Sequence, residues 1–214
     1  MIVLADNDII LKLAQCDLLG CLPGILGEEW SEIFISPTAK YQLLPNNPVK
    51  ALNKCGNEET LERLTAFLDI TQTLSEVQDS ALLAMLGEID GIDGGEKFLF
   101  AAAAELDNPL LITGDRRALR TLIEYQNYLP TVFSVLQDSV VTFESAILLA
   151  IYKLGFAIVK QKLLGSPKPD KMLRLVLRSE TREADLIECL CSYSKEVIPL
   201  LAFKQHLPLS LNQP

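Results

Sequence analysis

Residues 2–5, IVLA, and residues 109–113, PLLIT, are unbroken apolar runs. Each delivers the chain to an aspartate: Asp6 directly in the first case, Asp115 one glycine later in the second. A run without alternation of polar and apolar side chains fits a strand covered on both faces, the condition of a strand inside a parallel sheet. Such sheets bind ligands at the edge where the strands reach their carboxyl ends. An acid at that place has two readings. It caps the helix that follows, a position that favours Asp, or it is one of a pair of carboxylates brought together for chemistry. If the two strands are neighbours or next-neighbours, the ~4.8 Å strand spacing puts the acids about 5–10 Å apart.

The rest of the chain supplies the other layers. Ile9, Ile10, Leu13 and Leu18 predict a helix over 8–20 with Asp8 as its N-cap. Residues 33–36, IFIS, read as a second strand, followed by a helix opened by Ser36 and Pro37. Helices are expected over 47–56 and 58–69, and another over 75–88, where Ser75 and Gln78 have capping-box spacing. Residues 91–95, GIDGG, form a loop in which Asp93, with Asp90 just before it, reads as a turn residue. The alanine-rich stretch 95–108 is a strong helix with Glu96 in its first turn. A helix over 115–127, a strand over 139–143 and a helix from about Glu144 to Lys153 complete the unit. This alternation predicts an α/β fold with an open, mostly parallel sheet flanked by helices. The break GSPKPD divides the chain into an α/β domain over 1–150 and a helical extension over 151–214. Chain order taken simply leaves the first turn of the 95–108 helix at the opposite end of the sheet from Asp6 and Asp115.

Several function classes are excluded early. The five cysteines form no C-x-x-C pair and the only histidine is His206, against a zinc site, a disulfide framework or a histidine-dependent nucleophile. The greasiest stretch, 145–165, is broken by Lys153, Lys160 and Lys162, short of the ~20 apolar residues of a membrane span. Asp6 and Asp8 interrupt the first apolar run, unlike a signal peptide. The expectation is a soluble, cytoplasmic chain with no membrane partner. Its net charge is −9, yet residues 151–214 hold ten Lys/Arg against six Asp/Glu. An acidic body repels nucleic acid unless cations or a basic patch intervene. Residues 160–182 offer such a patch, and oxygen-only carboxylate clusters favour Mg²⁺ or Mn²⁺.

In order, LADNDIILKLA, GGEKFLFAAAAEL and PLLITGDRRALR resemble the PIN-domain family of metal-dependent nucleases, over roughly residues 1–145. The resemblance implies a PIN-like fold, an Mg²⁺ or Mn²⁺ site and RNA as substrate. Matched residue by residue, Asp6, Glu96 and Asp115 are the implied catalytic and metal-holding acids, and Thr113 is the Thr of the family's T-x-D motif. In the family fold the helix bearing Glu96 brings its acid to the strand edge. Asp93 is a candidate further ligand, and Asp8 a supporting acid. Where the family carries another Glu after the second strand this chain has Gln42, which offers a carbonyl but no charge. Arg116, Lys160, Lys162 and Lys168 are the candidate contacts to RNA phosphates. The resemblance leaves room for an antitoxin-like protein inhibitor and for a homodimer, although roughly the last 60–70 residues match no part of the short family toxins. Two other functions stay open. One is a catalytically inactive PIN-like interaction module, which Gln42 would suit. The other is a haloacid-dehalogenase-like phosphohydrolase, for which Asp6-x-Asp8 should precede Gly-Thr rather than Ile9-Ile10, and position 119 should be acidic rather than Leu119.

Overall fold

The computed structural model describes residues 1–211. One sheet holds five strands: β1 (Ile2–Ala5), β2 (Ile33–Ile35), β3 (Gln72–Thr73), β4 (Pro109–Thr113) and β5 (Val140–Thr142). Their order is β3-β2-β1-β4-β5 and every pairing is parallel. The two acid-terminated runs are adjacent strands, with Ala5 opposite Ile112. Strands β4 and β5 are buried throughout, and β1 from Val3 onward, as unbroken apolar runs require. β3 has no counterpart among the expected strands. Its two residues are polar and exposed, so no apolar run announces it, and its shortness suits an edge.

The helices are α1 (Asn7–Gln15), α2 (Leu22–Leu26), α3 (Ala39–Leu43), α4 (Pro48–Cys55), α5 (Glu58–Ile70), α6 (Ser80–Gly87), α7 (Gly94–Ala104), α8 (Arg116–Glu124), α9 (Pro130–Leu136), α10 (Phe143–Leu154), α11 (Phe156–Leu164), α12 (Lys171–Val176) and α13 (Glu183–Ser194). The strand order turns around between β1 and β4, so the crossovers on the two sides use opposite faces of the sheet. α1 contacts α5 and α10, whereas α7 contacts α9.

Four local expectations are corrected. Asp6, not Asp8, caps α1, because the strand ends at Ala5 and Asp6 still has extended backbone. α1 stops at Gln15, just before Asp17 takes a left-handed φ of 53°. Ser36 and Pro37 form a turn ahead of α3 rather than its first residues. Ser75 does not open α6. Asp79 does, while the backbone N–H groups of Gln78 and Asp79 donate to Glu105 Oε1 at 2.7 and 2.6 Å. The placement of α7 from chain order is also reversed. A helix that feeds the amino end of a parallel strand runs antiparallel to it, so its own N-terminus lies at the carboxyl edge.

The stretch 145–165 is two helices parted at Gly155, whose φ is 87°. Among the described residues no single helix is long and apolar enough to cross a membrane. The C-terminal region is helical and packs on the sheet's β5 side. Leu201 bridges Val140 in parallel, and Ala202 N–H donates to the Val140 carbonyl at 2.8 Å, covering the outer edge of β5. Leu173, Leu186, Leu190 and Leu200 are fully buried in the same core as the strands.

Candidate functional site

Three of the helices that start at the carboxyl edge, α1, α7 and α8, are each capped by one of the acids singled out above. Asp6 N–H continues the ladder to the Ile112 carbonyl at 2.9 Å, which fixes it beside the end of β4, and its Oδ2 accepts from Asp8 N–H at 3.2 Å. Asp115 Oδ1 accepts from the N–H groups of Arg117 and Ala118 at 2.8 and 3.1 Å, and Asp115 N–H donates to Thr113 Oγ1 at 3.1 Å. Asp93 Oδ1 accepts from Gly95 and Glu96 N–H at 2.7 and 3.1 Å. The capping reading therefore holds for both strand-ending aspartates. It does not exclude the other, because a cap uses one carboxylate oxygen and leaves the second outside it.

The charges show which acids meet. Asp6 is 9% exposed, and its pKa is pushed up to about 6, first by burial and then by Asp8, with a smaller push from Asp93. Glu96 is 5% exposed, and its pKa is pushed up to about 8 by burial, by contact with the Asp93 carboxylate and by the charge of Asp6. That contact holds Asp93 below the usual carboxylate range, so the proton resides on Glu96. Glu96 Oε2 is buried and has no hydrogen-bond partner. Asp6, Asp93 and Glu96 thus form one coupled group. Asp115 stands at its β4 flank. Its Oδ2 lies 3.9 Å from the guanidinium of Arg117, whose charge also acts on Asp93. Asp8, whose charge bears on Asp6 more than that of Asp93 does, is paired with Lys12 at 2.7 Å and lies across the turn after β4. A Cβ at Gly114 would sit 2.6 Å from Asp8 Oδ2.

On the β2 side of Asp6 a pocket of about 460 Å³ opens between the start of α7 and the turn at 36–38. Gln42 stands at its wall, with Oε1 accepting from Asn7 Nδ2 at 2.5 Å. Its carbonyl is therefore turned to Asn7.

The basic residues expected to meet RNA are engaged elsewhere. Arg116 donates to the Tyr193 carbonyl at 2.9 Å, stacks 4.5 Å from the Tyr193 ring centroid and pairs with Glu144 at 3.4 Å. Lys160 donates to the carbonyls of Ser179 and Thr181 at 2.6 and 2.7 Å. Lys162 pairs with Asp17 at 2.6 Å. Asp17 lies beyond the far end of α1 from Asp6, about 14 Å away at the rise of an α-helix. Lys168 donates to the Asn53 carbonyl.

Arg117, which the sequence places with Arg116 and Arg120 on a solvated helix face able to touch phosphate, is an exposed cation beside the acids. Glu144 follows β5 as Asp115 follows β4, with one residue between, so the same strand-then-acid pattern could have found it. It is buried, burial raises its pKa against the pull of Arg116, and its Oε2 lacks a partner.

No family model, curated protein or solved structure matches this chain. Among the described residues no set of three His, Cys, Asp or Glu side chains stands ready-made around a metal position. Asp6, Asp93 and Glu96 are the side chains that could gather on one.

Proposed function

We propose that this chain is a PIN-like, metal-dependent ribonuclease whose acidic centre is Asp6, Asp93 and Glu96, with Thr113 and Asp115 at its β4 flank. The observation that carries the proposal is Glu96: a buried carboxyl whose pKa is pushed up to about 8, with an oxygen facing no partner and two more acids beside it. Acids compressed in this way hold a proton only for want of a better cation. Their oxygen-only donors suit Mg²⁺ or Mn²⁺. When bound there, such an ion would supply Lewis acidity toward a phosphodiester. The chain's own part is to position the charges. The β-ladder fixes Asp6, the α7 cap fixes Asp93, and Glu96 would give up its proton to make room for a bound cation. Arg117, 65% exposed at its side chain, can meet a phosphate that the acids alone would repel.

A second reading has support of its own. Gln42 brings no charge and is bound to Asn7, and Asp115 uses one oxygen in its cap. Both suit an inactive PIN-like interaction module.

The test is calorimetric titration of Mn²⁺ beside cleavage of end-labelled RNA, with wild type, Asp6→Asn and Glu96→Gln. Metal binding and metal-dependent cleavage, each reduced about 100-fold or more in both variants, is the expected result. No binding by wild type at millimolar Mn²⁺ would overturn the nuclease reading and favour the module.

A further inference from the structure

The pocket beside Asp6 is larger than a divalent cation needs, and the acidic centre does not account for its walls. At about 460 Å³ it falls within the ~300–1,000 Å³ range of small-molecule sites. No Lys or Arg lines it, so it is not built for an anionic group. Apart from Asp6 at its rim, its polar groups are uncharged. Its apolar wall comes from α7, where Phe98 is half-buried and Leu99 buried.

Two carboxamides give the pocket its polarity. Asn7 Nδ2 is committed to Gln42 Oε1, which leaves Asn7 Oδ1 buried with no hydrogen-bond partner. Gln42 Nε2 makes no hydrogen bond among the described residues. The pair therefore leaves one buried acceptor unpaired, on Asn7, and one donor free on the exposed Gln42 side chain. Every nucleobase has an edge that sets a donor beside an acceptor, and Asn and Gln amides are among the side chains that read base edges. Backbone at Gly94 also lines the pocket, and an added Cβ there would meet no atom within 4 Å.

We infer that this pocket is a nucleobase subsite: Asn7 and Gln42 hydrogen-bond one base of the substrate, Phe98 provides an apolar surface beside it, and Asp6 lies at the side where the adjoining phosphate reacts. The inference rests on the ribonuclease reading for its link to a phosphodiester, but base binding stands apart from catalysis. A base held here fixes the register of the strand against the acids, so cleavage depends on the base occupying the pocket.

The test uses the full chain without metal and the four free ribonucleosides, which carry no phosphate for the acidic centre to act on. Chemical shift changes at Gln42 and Gly94 are followed during titration. The variants are Gln42→Leu, which keeps the volume and removes the donor, and Gly94→Val, which adds bulk to open space on a backbone whose φ is not left-handed. Circular dichroism and melting confirm that both fold. The expected result is saturable binding of at least one ribonucleoside, weakened about tenfold or more in each variant. Absence of binding by all four nucleosides overturns the subsite, even if RNA cleavage is observed. Binding that both folded variants leave unchanged also overturns it. Binding that the variants weaken, in a chain that cuts no RNA, supports the subsite and overturns only the nuclease reading.

Discussion

At the scale of single residues, Glu96 sets a sign that an ordinary carboxylate would not. Its pKa rises from 4.5 unfolded to about 8 folded, so between those values the native state holds a proton the unfolded chain has released. Stability from this group therefore falls as pH rises from about 4.5 to about 8 and levels off beyond. Glu96→Gln keeps the shape and removes the titration. Its melting temperature should match wild type near pH 4.5 and exceed it by about 3 °C or more at pH 8.5, while metal-dependent cleavage is lost. Scanning calorimetry across that range checks it, and a variant no more stable than wild type at pH 8.5 sinks the account. Mn²⁺ should close the gap by raising the wild type more at pH 8 than at pH 5, because protons and metal compete for the same oxygens. Asp6 and Asp115 were legible in the sequence because an acid at the end of an apolar run is a local signal. The state of Glu96 was not, since it depends on Asp93 and Asp6 across the fold, and no spacing along the chain encodes burial.

Among the elements, α8 separates two neighbouring arginines that the sequence presents as equivalent. Its first turn is fixed by the Asp115 cap, and the helix then turns Arg116 toward α13 and Arg117 toward the acids. Arg116→Ala should act on stability, since it strips a partner from buried Glu144 and loosens α13. A loss of about 3–5 kcal/mol is expected from an uncompensated buried charge, less whatever Glu144 recovers by taking up a proton. Arg117→Ala should leave the melting temperature within about 1–2 °C of wild type and weaken binding to catalytically inert RNA. Its salt dependence should drop by about one unit of log–log slope, as for the loss of one phosphate contact. Fluorescence anisotropy at several salt concentrations with both variants decides; equal effects on binding, with no difference in stability, would refute the assignment. The sheet itself is legible in the sequence for the same reason that β3 is not. Strands β1, β2, β4 and β5 are marked by apolar residues, whereas Gln72 and Thr73 pair at an edge where water replaces a second neighbour. The start of α6 was misplaced because Glu105, distant in sequence, takes the N–H groups that a Ser75 cap would have organised.

For the whole molecule, the central issue is how firmly the C-terminal region is joined to the sheet. Residues 151–211 give the acidic edge Arg116's anchor on Tyr193, and they give β5 its outer neighbour at Leu201. A loosely attached appendage would melt apart from the sheet. Here the fully buried leucines of α12, α13 and the segment through Leu201 share one contiguous core with β1 and β4. One cooperative transition is therefore expected. Trp30, which meets Phe67 edge-to-face at 5.8 Å, reports on the β2–α5 side, far along the sheet from β5. Leu201→Ala removes a fully buried side chain and should cost about 3 kcal/mol, or roughly 6–12 °C at this chain length. The tryptophan signal and the far-ultraviolet helix signal should shift together by that amount. If the Trp30 transition stays in place while part of the helix signal melts early, the C-terminal region is a separate unit. In that case the Tyr193 anchor would also be lost early, and Arg116 would be released beside the acids before the sheet unfolds.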